Sequence, residues 1–597
     1  MELSRFSHHL KSIEETRSRT EMTTILAAML SEASADEIEK VVYLSLGALG
    51  PLYRSVEFNM SDKLMIRAIG RALGEDIEMV EKRYKAIGDI GLLVGEKEIV
   101  NPTKTGKITV DWVFNELLAI ALLEGAGSQE EKVERMATLI GSVDSLSAKY
   151  IARIPVGKLR LGFSDVTLLD ALSWMVSGDK SLRAQIERAY NVVADIGLIG
   201  KTIKDQGVIG LEHISIVVGV PIRPAAAERL PTAQAIIDKL GDVVVQPKID
   251  GFRLQVHFNK DASHVSNNVN AKVFGSDGDV ALFSRNLEDM TAMFPEIVSA
   301  VRRLPVKSIV FEGEAVAYDQ DTSKFLPFQE TIQRRRKHDV AEMSVQIPLK
   351  LFAFDLLYLN GKDCLAKPHH ERRRLLEQYI GFKTEGLTVI EQISIDSAAK
   401  LGQYFAAQID AGLEGIVAKR PDSPYSAGAR NFNWVKLKRE DKSELNDSID
   451  CVVLGYKFGK GKRTGFGIGA FLVGVYDAEG DRYKTISNVG TGLTDIQWVE
   501  MKSRCDRLKA GKKPVRYDVP ETLNQDVWVE PKMVVEILAD EITRSPQHTA
   551  GMTADEAGYA LRFPRLISWR DDKNPEQATS VEEIKVLFKQ QKKRGRN

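Results

Sequence analysis

Apolar residues recur three and four positions apart through the first two hundred residues, and every second position through much of the rest. The first spacing places apolar side chains on one face of a helix, the second on one face of a strand. Asp62 to Leu73 and Val166 to Val176 are therefore predicted helices. Ser34-Ala35-Asp36-Glu37 has the capping-box pattern, with Gly47 suited to end the helix that follows. The longest apolar stretch, Val113 to Leu123, is interrupted by Asn115 and Glu116. It is too short to span a bilayer and predicts a buried helix. No hairpin pattern stands out in this part.

The texture changes near residue 218. Pro221, Pro224 and Pro231 punctuate a linker-like stretch. Short β-type runs follow: VVVQPKIDGFRLQVHF, AKVFG, SIVFEGEAVAY, LKLFAFDLLYL, EGIVAKR and NWVKLK. Helical runs over Leu287 to Leu304 and Glu371 to Tyr379 interleave with them, as in an α+β domain. After Lys438 a polar EDKSELNDS leads into CVVLGYKFG, GFGIGAFLVGVYD, YKTISNVG and VWVEPKMVVEILADEI. Short strands with Gly-rich turns suit a small β-barrel. The expected organisation is an all-α domain over 1–217, an α+β domain over 218–442 and a β-barrel over 443–597.

Composition narrows the class. The chain has 597 residues, of which 43% are hydrophobic and 28% charged. That excludes a disordered chain, a collagen-like chain and a small disulfide scaffold. Cys364, Cys451 and Cys505 are far apart, with no zinc spacing, and read as buried thiols in a reducing compartment. The polar start MELSRFSHHLKSIEE has no signal-peptide core, so a cytoplasmic protein with no membrane partner is expected. The net charge is −1, divided between 26 basic and 31 acidic residues in 1–217 and 56 and 52 in the remainder. A nucleic-acid surface on the first part must then be a local patch, for which Arg153, Lys158 and Arg160 in ARIPVGKLRLG are the candidates. A nucleic-acid surface needs positive charge only where it meets its ligand, so a near-zero total does not exclude one. Lys585 to Asn597 holds six basic residues and no acid, an electrostatic tail or a solubilising end.

Several segments carry chemistry. In KIDGFR, Lys248 precedes a strand whose Leu254, Val256 and Phe258 alternate with polar Arg253, Gln255 and His257, predicting one wet face. A partly desolvated lysine near other cations is a potential nucleophile. Glu312 and Glu314 share a strand face, where two carboxylates need a cation, a metal or a ligand hydroxyl. Asp355, inside apolar LFAFDLLYL, needs a partner, and Phe354 beside it offers a stacking face. Glu414 and Lys419 flank an apolar pair, while Lys436 and Lys438 lie on one face of WVKLK and suit a phosphate. Arg562, Arg565, Arg570 and Lys573 gather cations near the end.

Each signal alone has a bland reading as a solvated strand or turn. Their ordered set, KIDGFR, SRN, FEGEAVAYD, FAFDLLYLNG, EGIVAK, WVKLK and FPRLISWRDDK, resembles the motif series of the covalent nucleotidyltransferases. It most resembles ATP-dependent DNA ligases of the archaeal and eukaryotic replicative type, over nearly the whole chain. In that family KLRLGFSDVTLLDAL looks like the DNA-binding segment. The resemblance implies an ATP-grasp-like nucleotidyltransferase domain and an oligonucleotide-binding (OB) fold after the helical domain. It implies nick sealing in DNA replication, repair and recombination. Lys248 matches the lysine adenylylated by ATP, its neutral amine favoured by the nearby lysines. Arg253 and Glu314 match ribose contacts, Gln246 and Ile249 contacts to the adenine edge, and Phe354 the stacking aromatic. At Gln246 the family often has Glu. Arg285 matches a ribose and phosphate residue, Lys436 and Lys438 the paired lysines at the α-phosphate, and Glu414, with Glu314, the acids for Mg2+ or Mn2+. Arg565, Arg570 and Lys573 match the motif that orients pyrophosphate, although Ser568 replaces an Arg and Trp569 is unusual there. Lys158 and Arg160 are the expected DNA contacts of the helical domain. Nicked duplex DNA is the expected partner of a monomer, with a sliding clamp implied by analogy alone.

Two other classes compete. An RNA ligase or capping guanylyltransferase shares KxDG but usually lacks the long helical domain. A non-catalytic nucleic-acid-binding protein does not explain why Lys248, Glu414, Lys436 and Lys438 stand together.

Overall fold

A computed structural model describes residues 1–16, 18–54, 56–95, 107–157, 159–261, 279–319, 324–326, 328–336, 339–381, 386–438, 448–459 and 461–594. Lys158 and the run AKVFG lie outside them. The chain divides into two compact units, Met1–Lys438 and Arg439–Asn597. Among the described residues no helix is long and apolar enough to cross a membrane.

The first unit begins with helices, as the three-to-four spacing predicts. Asp62–Leu73 is one helix, capped by the Ser61 hydroxyl accepting from the Leu64 N–H and ended by left-handed Gly74. Met65, Ile66 and Ile69 form its buried face, and each such side chain contributes roughly 1.5–3 kcal/mol on leaving water. Val166 to Val176 lies within the helix Asp165–Ser177, and the apolar stretch forms Val110–Ala121 with Val113, Leu117 and Ile120 buried. The Ser34 motif is only half a capping box. Glu37 accepts from the Ser34 N–H and hydroxyl, while the helix itself starts at Ile38.

Two sheets follow. The first consists of β1 (Ala226–Arg229), β2 (Val243–Lys248), β7 (Ile393–Ile395), β8 (Gly415–Lys419) and β9 (Arg430–Lys438), in the order β1-β9-β8-β2-β7. The second is built on β3 (Phe252–Asn259), β4 (Val280–Ser284), β5 (Ser308–Asp319) and β6 (Leu349–Leu359), in the order β4-β3-β5-β6. Alternation decides which way each face points. Val243, Val245, Ile416, Val435 and Leu437 pack into one core, and Leu254, Val256, Phe258, Ile309 and Leu351 into another. The helical run Leu287 to Leu304 shortens to Pro295–Arg302, because Pro295 starts the helix and Leu287 takes a left-handed turn.

The proline-rich linker and the wet face of β3 explain each other, and both expectations are corrected here. Gln255 and His257 are buried at 3% and 0% exposure. The segment before β1 covers them: Gly219 N–H donates to His257 Nδ1 at 3.0 Å, and Gln255 bonds both the N–H (2.7 Å) and the carbonyl (2.9 Å) of Ile222. Burial pushes the His257 imidazole down to about 3, so it stays neutral. The connection is a strap fixed to the sheet.

The second unit is the sheet-rich domain. β10 (Ile449–Lys457), β11 (Ala470–Asp477) and β12 (Arg482–Val489) form an antiparallel meander, and β10 also pairs β13 (Val534–Leu538), which pairs β14 (Arg565–Trp569). A curled sheet of this order fits an OB fold. Cys364, Cys451 and Cys505 are free and buried.

Candidate active site

A cavity of about 450 Å3 opens between the two sheets of the first unit, a volume that suits a nucleotide-sized ligand. Strand register builds its floor. Lys248, Gly415 and Lys438 form one cross-strand row, and Gln246, Val417 and Lys436 the next. Successive residues alternate faces, so these side chains share the face opposite the Val245, Ile416 and Val435 core. Gly415 sits at φ +144°, and a Cβ there would meet the Leu437 carbonyl oxygen at 2.2 Å. Only glycine lets β8 and β9 approach closely enough to bring both lysines to Glu414. Gly251 is equally constrained, since its Cβ would lie 2.4 Å from the Ala315 oxygen.

Lys248 pairs with Glu414, whose other oxygen accepts from Lys438 Nζ at 3.0 Å. Burial raises the Glu414 carboxyl, but Lys248 and Lys438 outweigh it and hold the group below the ordinary carboxylate value. Lys436 is lowered, by burial first and then by Lys438, Arg430, Lys248 and Arg285. Glu314 goes the other way. Burial raises it to about 7, against the pull of Lys248 and Arg253, with Asp250 and Glu414 adding to the rise.

Arg253 donates to Glu312 at 2.7 Å and to the Ala225 carbonyl at 2.7 Å, and its guanidinium lies 5.4 Å from the Phe354 ring. Its buried Nε has no partner among the described residues. Glu312 also accepts from the Tyr425 hydroxyl at 2.8 Å, so the two acids of one strand face divide: Glu312 is buried in this network and Glu314 lines the cavity. Asp355 finds its partner in Arg372, bonded at 2.7 and 3.0 Å, with His369 and Lys419 beside it. Burial raises Asp355, yet Arg372 and Lys419 hold it well below its ordinary value. Burial brings Lys419 down to about 7.

Of the residues expected from sequence, Lys248, Gln246, Ile249, Arg253, Arg285, Glu314, Phe354, Glu414, Lys436 and Lys438 line this one cavity. Arg565, Arg570 and Lys573 belong to the second unit. There Arg570 and Lys573 meet on Asp450 and Arg565 pairs with Asp540. Ser568 donates to Glu536 at 2.6 Å, and Trp569 lies 4.9 Å from the Arg504 guanidinium. The basic patch is corrected at Arg153, which is buried and bonded to Asp89 at 3.0 and 2.9 Å. Arg160 is part-exposed and also pairs with Asp89, at 2.8 Å. Sequence reasoning left Lys419 and Trp434 without a role and passed over Tyr425 and Gln392. Lys419 and Trp434 stood in quoted motifs, whereas Tyr425 and Gln392 lie in segments without one.

Two sheets around a lysine-and-carboxylate cavity, with helices earlier in the chain and a separate sheet-rich unit after them, define a nucleotidyltransferase. Family models match in three places: the DNA ligase N terminus over residues 2–173, the ATP dependent DNA ligase domain over 269–438 and the ATP dependent DNA ligase C terminal region over 464–573. The "Probable DNA ligase" of Dictyoglomus turgidum is 46% identical over 590 residues, covering 98% of this chain and 97% of the relative. The "DNA ligase" of Sulfolobus acidocaldarius is 36% identical, covering 100% and 99%. The solved structure Pmar-Lig_Pre shares the fold at a TM-score of 0.54 and 16% identity, covering 95% of this chain and 99% of its own. The chain belongs to the ATP-dependent DNA ligases, the enzymes that seal nicks in duplex DNA.

Proposed function

We propose that Lys248 is the nucleophile that carries AMP between ATP and the nick. The observation that supports it is the row Lys248, Gly415, Lys438 with Glu414 at its side, inside one cavity. The Lys248 nitrogen attacks the α-phosphorus of ATP. A P–N bond forms and the bond to pyrophosphate breaks, leaving lysyl-AMP. The 5′-phosphate of a nick then displaces the lysine, and the 3′-hydroxyl displaces AMP to close the strand. Such transfers depend on positioning and charge neutralisation. Lys436 and Lys438 hold the α-phosphate, Phe354 stacks on adenine, and Ile249 packs at its edge. The unpaired Arg253 Nε and Glu314 are placed to bond ribose hydroxyls. Arg285, on the rim, reaches the phosphates. Arg565, Arg570 and Lys573 orient the pyrophosphate, exchanging their carboxylate partners for phosphate oxygens.

Among the described residues no group of three or more His, Cys, Asp or Glu is arranged to hold a metal alone. Glu414 and Glu314 fit a Mg2+ ion shared with phosphate oxygens, because Mg2+ is commonly held by one or two carboxylates and a substrate's phosphates. Bound there, it would neutralise charge on the phosphates. Lys158 and Arg160 would meet DNA, Arg160 by giving up Asp89. The protein acts as a single chain.

Incubation with α-labelled ATP, ADP, GTP and NAD tests the reading. A denaturation-resistant label from ATP is expected. Its absence, or a label from NAD in place of ATP, would contradict it.

A further inference from the structure

Gln246 sits at the enclosed end of the cavity, 2% exposed. Its Nε2 donates to Gln392 Oε1 at 2.9 Å and lies 3.5 Å from the Phe354 carbonyl oxygen. A free amide can turn over and exchange donor for acceptor, so Gln246 alone has no fixed polarity. Groups that cannot change polarity bear on it from both sides.

At one end stands the Phe354 carbonyl, which only accepts. It calls for the NH2 of Gln246. At the other end stands the Arg372 guanidinium, which only donates. Locked on Asp355, it directs Nη2 to His369 Nδ1 at 3.4 Å. Burial pushes His369 below its ordinary value, so the ring is neutral. If Nδ1 accepts, Nε2 carries the hydrogen, and it lies 3.0 Å from Gln392 Oε1. That oxygen accepts from His369 and so presents an acceptor to Gln246 as well. The Asp355 carboxylate, which only accepts, stands 3.5 Å from the same Nδ1 and favours the other tautomer, so the Phe354 carbonyl carries the assignment and the Arg372 contact at 3.4 Å supports it. The NH2 of Gln246 is committed, and its Oε1 is the atom left for a ligand.

We propose that Gln392 and His369 are positioning residues for base selection: they hold Gln246 with its acceptor toward the base, so the cavity takes a purine with an amino group at position 6 and refuses one with a carbonyl there. Adenine fits that rule, whereas guanine and hypoxanthine would set oxygen against oxygen. The proposal rests on the cavity being the ATP site and adds what fixes its choice of base. An unpaired or opposed polar group discriminates because its lost hydration is not replaced.

The test is self-labelling of the full-length protein with α-labelled ATP, ITP and purine riboside triphosphate, which has hydrogen at position 6. In the wild type, ITP is expected to fall on the order of tenfold below purine riboside triphosphate in kcat/KM. In Gln392→Met the ATP-to-ITP ratio is expected to drop on the order of tenfold, while Gln392→Glu, which keeps an acceptor, preserves it. A merely structural role would slow both nucleotides alike and leave the ratio unchanged, which would overturn the proposal. So would wild-type labelling by ITP as efficient as by ATP, a result that needs no variant to fold. No label from ATP itself would instead remove the parent reading along with this one.

Discussion

At the Lys248 end of the cavity, charges pair with one another at part-exposed positions: side chains of Lys248, Glu414 and Lys438 keep 25%, 23% and 33% of their surface. At the Gln246 end, Asp355, Arg372 and His369 are almost wholly enclosed, and donors and acceptors form a closed chain. The pairing at the first end is exchangeable, because a phosphate can replace a half-hydrated carboxylate at little desolvation cost. The pairing at the second is fixed, because a buried charge that loses its partner is left in low dielectric. On the proposed roles, the site keeps its counter-charges loose at the end where phosphates bind and leave and locks polarity at the end where the base is recognised.

Substitutions sharpen that contrast. Lys248→Ala is expected to abolish the covalent AMP adduct while nick binding persists, read by labelled ATP and by gel shift; a labelled lysyl adduct in the variant would sink the assignment. Lys436→Ala or Lys438→Ala should slow adduct formation on the order of 10²-fold, as loss of one charge stabiliser does, with the melting temperature nearly unchanged. Asp355→Ala should do the reverse to stability. Stranding buried Arg372 and Lys419 costs about 3–5 kcal/mol, whereas Glu414→Ala should cost well under about 1 kcal/mol. Equal losses in denaturant titrations would erase the distinction between the two ends.

A further effect is in pH. Glu314 is raised from 4.5 to about 7, so between those values the folded protein binds a proton that the unfolded chain has released. Stability from this group therefore falls as pH rises through that window and levels off above it. Glu314→Gln should gain on the wild type by on the order of 1 kcal/mol between pH 5 and pH 8. A difference that does not change with pH would count against a buried, proton-holding Glu314.

Much of the floor was legible from sequence because period-two alternation assigns faces: Lys436 and Lys438 opposite Val435 and Leu437, Lys248 at a strand end. Asp355 announced that it needed a partner. Alternation says nothing about what covers a polar face, so Gln255 and His257 read as wet, although the strap at Gly219 and Ile222 buries them. Nor does it carry long-range pairing. Arg153 looked like a surface cation because Asp89, 64 residues earlier, bears no local signal. Gln392 and Tyr425 were missed for the same reason: each acts through a partner more than a hundred residues away.

The central claim, that Lys248 forms the covalent link, is tested most directly by mapping the modified residue. The full chain is charged with ATP and Mg2+, digested, and its AMP-bearing peptide sequenced by mass spectrometry. The adduct is predicted on Lys248, within the peptide containing IDGFR. An AMP group on Lys419, Lys436 or Lys438 in its place would contradict the account.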